Sequence, residues 1–150
     1  MLVRTLLEAR HAAAVHTMES GRPLGDAAAL MCGEKVPLLV VTRDDVPVGA
    51  LSRGDILAAM MKGPVQAALD SPVREAMTPT LMAVGPDDRT DAALEMVTGA
   101  GIRHLPVIEG NRVLGILSAA ELFQKKMEAA AAELRYLQEY ITDLHEASFD

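Results

Sequence analysis

Apolar positions in this chain follow two periods, one of helices and one of strands, and the two alternate in the same order twice. Leu81 to Val84 is a short apolar run that predicts a strand. Pro86-Asp87-Asp88 then makes a turn that caps a helix over Arg89 to Thr98, where Ala92, Ala93, Met96 and Val97 share one face. Gly99 and Gly101 end that helix, Arg103 to Ile108 reads as a strand, and Glu109-Gly110-Asn111 turns the chain into a strand over Val113 to Leu117. The earlier half carries the same signals: strand Val15 to Met18, helix Leu24 to Cys32, strand Val36 to Thr42, turn Arg43-Asp44-Asp45 and strand Val46 to Leu51.

The recurrence extends to residues. Gly49-Ala50-Leu51-Ser52-Arg53-Gly54-Asp55-Ile56 returns as Gly115-Ile116-Leu117-Ser118-Ala119-Ala120-Glu121-Leu122, 66 positions later. The same offset sets Ala27 on Ala93, Gly33 on Gly99, Leu39 on Leu105 and Val41 on Val107. The expected fold class is α/β (α+β): two repeats, each strand, helix, strand, strand, helix, joined as a pseudo-twofold pair, plus a long C-terminal helix. The expected boundaries are a first repeat with an N-terminal helix over 1–62, a connector over 63–72, a second repeat over 73–123 and an amphipathic helix over 124–150. Pairing two such units covers the open face of each sheet and leaves a cleft between equivalent residues.

Beyond Glu121 there is no Gly or Pro, and Phe123, Met127, Ala130, Leu134, Leu137, Ile141 and Leu144 step alternately by four and three. That spacing is a heptad seam on a helix expected from Ala119 to Glu146. It calls for a second helix, from another copy or from a partner's repeats, unless the helix folds back on its own module.

Composition narrows the function. The 150 residues are 50% hydrophobic, enough for a real core, and only 3% aromatic. Both Phe and both Tyr lie at or after Phe123, so the stacking platforms of single-strand binders are missing. A net charge of -7 with scattered Lys and Arg disfavours nucleic acid and anionic membrane as partners. The lone Cys32, the lack of a membrane-length apolar run and a charged N-terminus together predict a soluble cytoplasmic protein. His11, His16 and His145 lack ligand partners at metal spacing, so no metal site is expected. No nucleophile elbow, phosphate loop or His-Glu-x-x-His is present, so no catalytic residue and no enzyme activity are expected.

Ser52-x-x-Asp55 and Ser118-x-x-Glu121 are capping boxes, in which the serine hydroxyl accepts a helix N–H and the acid three residues on accepts the serine N–H. A helix start with glycine just upstream also suits an anion, with the serine toward phosphate and the acid toward ribose hydroxyls. Repeated in tandem, and with Ile102-Arg103-His104-Leu105-Pro106-Val107-Ile108 and Val73-Arg74-Glu75-Ala76-Met77-Thr78-Pro79 upstream, the pattern resembles the cystathionine-beta-synthase (CBS) domain, and the pair resembles a Bateman module. The likeness covers roughly 7–123 and is weaker in the first repeat.

The resemblance implies a non-catalytic regulatory module that binds AMP, ADP, ATP or S-adenosylmethionine between its repeats and signals as a homodimer or through a regulated partner protein, with no cofactor required. Carried over by position, Asp55 is the ribose-binding acid, with Ser52 and Arg53 near phosphate; Ser118 and the longer Glu121 hold those places in the second repeat. Arg103 and His104 match the family's basic pair, where the first repeat has Pro37 and Leu38, so each site is expected to lack one element. The base-facing positions are Ala14, Val15, His16 and Val36 in one site and Thr80, Leu81, Met82 and Ile102 in the other. The competing reading is a ligand-free dimerisation or scaffold module acting through its C-terminal helix.

Overall fold

The structure is a computed structural model that describes residues 1–10 and 15–148. Helix α1 (Val3–Ala9) precedes the first repeat, which comprises β1 (Thr17–Glu19), α2 (Leu24–Gly33), β2 (Leu38–Arg43), β3 (Val46–Ser52) and α3 (Arg53–Met60). Helix α4 (Val65–Asp70) and a single 3-10 turn (Val73–Glu75) lead into the second repeat: α5 (Thr90–Ala100), β4 (His104–Glu109), β5 (Arg112–Ser118) and α6 (Ala119–Ser148). The segment expected as a connector therefore contains a helix, α4, that packs on α2.

The 66-residue offset holds in the backbone. Residues 38–43 and 46–52 of the first hairpin map onto 104–109 and 112–118 of the second, and the register slips once in each, at Val41/Thr42 and at Val107/Ile108. Two-residue turns close both hairpins. Asp44 and Asp45 take φ of 52° and 64°, the left-handed pair that such a turn demands, and in the other hairpin Gly110 takes φ of 59°.

The repeats differ at their first strand. β1 pairs parallel to β2 over three residues, beginning with Thr17 opposite Val40. In the second repeat the strand expected over Leu81 to Val84 shrinks to one bridge, Val84 to Val107, although Val84 N–H donates to Pro106 O at 3.0 Å and Ile108 N–H donates to Val84 O at 2.8 Å. Pro106 stands where the first repeat has Val40. It has no N–H to donate, so the ladder cannot extend.

Each repeat has its own apolar core, and each core is completed by a segment from beyond the repeat. Leu39, Val41, Leu51, Ala27 and Met31 are buried together with Val73, which lies past α4. Leu105, Val107, Leu117, Ala93 and Val97 are buried together with Val3 and Leu6 of α1. The N-terminal helix, expected to belong with the first repeat, thus packs on the second. Backbone bonds pin it there: Val3 N–H donates to Asp88 O and Thr90 N–H to Met1 O, at 2.8 and 2.9 Å.

Two glycines explain the exchange. A Cβ on Gly49 would sit 2.7 Å from both Met77 Sδ and Thr78 O, and one on Gly115 would sit 3.0 Å from Leu7 Cδ2 and 3.2 Å from Arg10 Nη2. Each repeat leaves a slot over its third strand, and the incoming segment fills it.

α6 is continuous for 30 residues, roughly 45 Å at 1.5 Å per residue. Leu122 is buried at its base, where α6 packs on α5 and Lys126 Nζ meets Asp91 Oδ1 at 3.3 Å. From Lys126 to Ser148 every side chain is exposed. No described helix is long and apolar enough to cross a membrane.

Candidate functional site

Both capping boxes form. Ser52 N–H donates to Asp55 Oδ2 at 2.9 Å while Asp55 N–H donates to Ser52 Oγ at 3.1 Å. Ser118 and Glu121 repeat this at 2.8 and 3.0 Å. Each box fixes an acid at the first turn of a helix that begins directly at the end of a strand, so the acid's position is set by the hairpin.

Two cavities lie between the repeats, and each draws its walls from both. The first, of about 490 Å³, brings Ser52, Arg53 and Asp55 together with Thr80, Met82, Ile102, Arg103 and His104. The second, of about 350 Å³, brings Ser118 and Glu121 together with Val15, His16 and Val36. Pro37, Leu38 and His104 line both.

This crossing corrects the expectation that each site lacks one element. The twofold relation sets the third strand of one repeat against the second strand of the other, so the acid of the first repeat faces the basic pair of the second. The first cleft therefore has both elements, and the second, with Pro37 and Leu38 where a basic pair would stand, has Glu121 and shares only His104 of the pair. Leu81 lines neither cavity, whereas Thr80 and Met82 on either side of it line the first. Ala14 lies outside the described residues.

In the first cleft, Asp55 Oδ2 is held by the cap and by Thr78 Oγ1 at 3.4 Å, while Oδ1 accepts no hydrogen bond among the described residues. An oxygen is thus left for a ligand hydroxyl. Arg53 and Arg103 are both exposed and make no ion pair among the described residues. They leave positive charge in the lining. Leu38, Ala50, Met82, Ile102 and Pro106 supply its apolar part.

His104 stands at the end of β4, opposite Ser118 of β5. Partial burial pushes its imidazolium pKa below the usual value, and the nearby guanidinium groups of Arg53 and Arg103 push the same way, against a weaker opposing pull from Glu121.

The second cleft is already engaged. Arg10 Nη1 donates to Glu121 Oε1 at 2.7 Å and Arg10 Nη2 donates to Ile116 O at 2.8 Å, with 33% and 23% of the two charged side chains exposed. The oxygen that closes the Ser118 cap is the one that takes the arginine. Sequence reasoning passed over Arg10, because its counterpart 66 positions on is Ala76. The one pointer to it was Gly115, whose missing Cβ makes room for the guanidinium. Among the described residues no group of three His, Cys, Asp or Glu could hold a metal ion.

Comparison with known proteins agrees with this architecture. The family model for the CBS domain matches residues 73–128. The CBS-domain containing protein of Agrobacterium tumefaciens superposes with a TM-score of 0.73 at 30% identity, over 84% of this chain and 99% of that one. A structure of CBSX2 in complex with AMP shares the fold, with a TM-score of 0.63 at 23% identity over 77% and 90% of the two chains. An uncharacterized 17.7 kDa protein of Acidianus ambivalens is 33% identical over 86 residues, 57% of this chain; the chain spans half the length of that curated relative. The fold is a tandem pair of CBS-type repeats. The chain belongs to the CBS-domain family.

Proposed function

We propose that the protein is a non-catalytic, cytoplasmic regulatory module that binds an adenine nucleotide in its first cleft. The observation that carries this reading is the convergence of Ser52, Arg53 and Asp55 with Arg103 and His104 on one cavity of about 490 Å³. That volume falls in the range of small-molecule sites. The free oxygen of Asp55 suits a ribose hydroxyl, the two guanidinium groups suit a phosphate, and the aliphatic wall suits a purine face. AMP in CBSX2, a protein of the same fold, is in line with this chemistry. S-adenosylmethionine fits less well, because its sulfonium would meet Arg53 and Arg103.

The bound ligand bridges the two repeats, and α6, which starts at the second capping box, is the element through which occupancy reaches a regulated partner. The test is a thermal-shift and calorimetry panel with AMP, ADP, ATP and S-adenosylmethionine. A nucleotide at a hundredfold excess over its dissociation constant stabilises the fold by about 2.7 kcal/mol. No shift with any of the four at millimolar concentration overturns the reading in favour of a ligand-free scaffold.

A further inference from the structure

The seam on α6 has no partner among the described residues. Phe123, Met127, Leu134, Leu137, Ile141 and Leu144 are between 46% and 63% exposed, although they repeat with the alternating spacing of a coiled coil. A stripe three heptads long, on a helix projecting about 30 Å beyond the module, matches another helix of the same pitch rather than a globular groove.

Side-chain size decides which helix, and in which direction. In a parallel, in-register pair each residue would meet its own copy. Ala130 would then face Ala130, leaving a gap between the Met127 and Leu134 layers. Antiparallel pairing over 127–144 instead stacks Met127 on Leu144, Ala130 on Ile141 and Leu134 on Leu137, each layer occurring twice by symmetry, and sets Phe123 opposite Ser148. The smallest seam residue meets the β-branched one, and no layer is empty.

Charge agrees with size. The base of the projecting segment carries Lys125 and Lys126, which make exposed ion pairs with Glu128 and Asp91, both at 3.3 Å. Its far end carries Glu139, Asp143 and Glu146 with no Lys or Arg after Arg135. With Glu128 and Glu133 counted, residues 125–135 carry a net charge of +1 against -3 for residues 136–148, so parallel pairing would stack the two acidic ends on each other whereas antiparallel pairing sets each against the weakly positive base.

The geometry points to a self-associating site: an antiparallel α6 to α6 coiled coil between two copies of this chain, which holds the two modules at opposite ends of a short rod. It does not rest on nucleotide binding.

The experiment uses the full chain with Cys32→Ser, to remove the one native thiol. Sedimentation should give a dimer that dissociates in Leu134→Glu, a change at an exposed position that leaves the module's melting temperature unaltered. The Met127→Cys, Leu144→Cys double variant should cross-link between copies on mild oxidation with copper phenanthroline, while Met127→Cys alone should not. Ala130→Leu, crowded against Ile141 of the second copy, should weaken the dimer roughly tenfold. The proposal is overturned by a monomer at every concentration, by a dimer that survives Leu134→Glu, by equal cross-linking of Met127→Cys alone, or by a tighter dimer in Ala130→Leu.

Discussion

Arg10 and Glu121, 111 residues apart, are joined by an ion pair of 2.7 Å inside the second cleft. The arginine comes from the end of the N-terminal helix and the glutamate from the first turn of the C-terminal one. At the 66-residue offset Glu121 corresponds to Asp55, which keeps an oxygen free in the first cleft, and Arg10 corresponds to Ala76, which does not line that cleft. Nearly equal repeats have thus produced two unequal clefts.

One nucleotide per chain is the expected stoichiometry. Arg10→Ala removes two charge-assisted hydrogen bonds from a partly exposed pair, at a cost of about 1–2 kcal/mol, and should lower the melting temperature by about 3–6 °C. Affinity at the first cleft should change by less than about twofold, because Arg10 does not line it, and a change of that size is below about 0.5 kcal/mol. Titration calorimetry reads the stoichiometry and the affinity, and a thermal melt reads the stability loss. Two equal sites in the unaltered protein would contradict the asymmetry.

Most of the fold is legible in the repeat itself. Gly49 and Gly115 gave the offset, and both hairpins, both capping boxes and the ends of α2 and α5 follow it within a residue or two, whereas α6 runs 22 residues past the end that α3 would set. What it could not convey is which repeat faces which. An offset equates Asp55 with Glu121 and Leu38 with His104, but whether Asp55 looks at Leu38 or at His104 depends on how the two sheets are set together. The same limit hid the exchange of α1. Val3 and Leu6 read as apolar residues of the nearer repeat, and only the slot over Gly115 directs them to the farther one.

The two slot glycines should respond differently to alanine. In Gly49→Ala the new methyl meets the Thr78 carbonyl at 2.7 Å, and that backbone is fixed by reciprocal bonds with Ala50 of 2.8 and 3.1 Å. The strand or the segment must shift, at about 1–3 kcal/mol. In Gly115→Ala the nearest atoms are the ends of Leu7 and Arg10, which can rotate away, and the loss should stay below about 1 kcal/mol. Chemical denaturation of both variants checks the order, and a larger loss in Gly115→Ala would show that α1 is held more rigidly than its side-chain contacts imply.

Asp55 carries two roles that can be separated. Asp55→Ala removes both the cap to Ser52 N–H and the proposed ribose contact, so it should cost about 1 kcal/mol of stability and weaken nucleotide binding by about 10–100-fold. Ser52→Gly keeps a residue that tolerates the N-cap position and leaves Asp55 in place, so stability should fall by only a few tenths of a kcal/mol. If Asp55→Ala loses stability but binds nucleotide as tightly as before, the carboxylate is a cap and nothing more.

His104 should make both stability and binding depend on pH, in opposite senses. Its pKa in the fold lies below the ordinary value of 6.5, through burial first and then through Arg53 and Arg103, with Glu121 pulling weakly the other way. In the window between the lowered value and 6.5 the unfolded chain binds more protons at this site than the folded one, so stability rises with pH. The contribution is complete above 6.5 and is lost as pH falls toward the folded value, below which both states are protonated and the dependence flattens. A nucleotide phosphate beside Arg53 and Arg103 would offset the positive field that holds the proton off. Binding should therefore take up a fraction of a proton, and affinity should increase as pH drops through the same window. His104→Gln should remove this slope from both curves. The checks are denaturation midpoints across pH 5–8 and calorimetry in two buffers of different ionisation enthalpy; a slope unchanged in His104→Gln would assign the proton to another group.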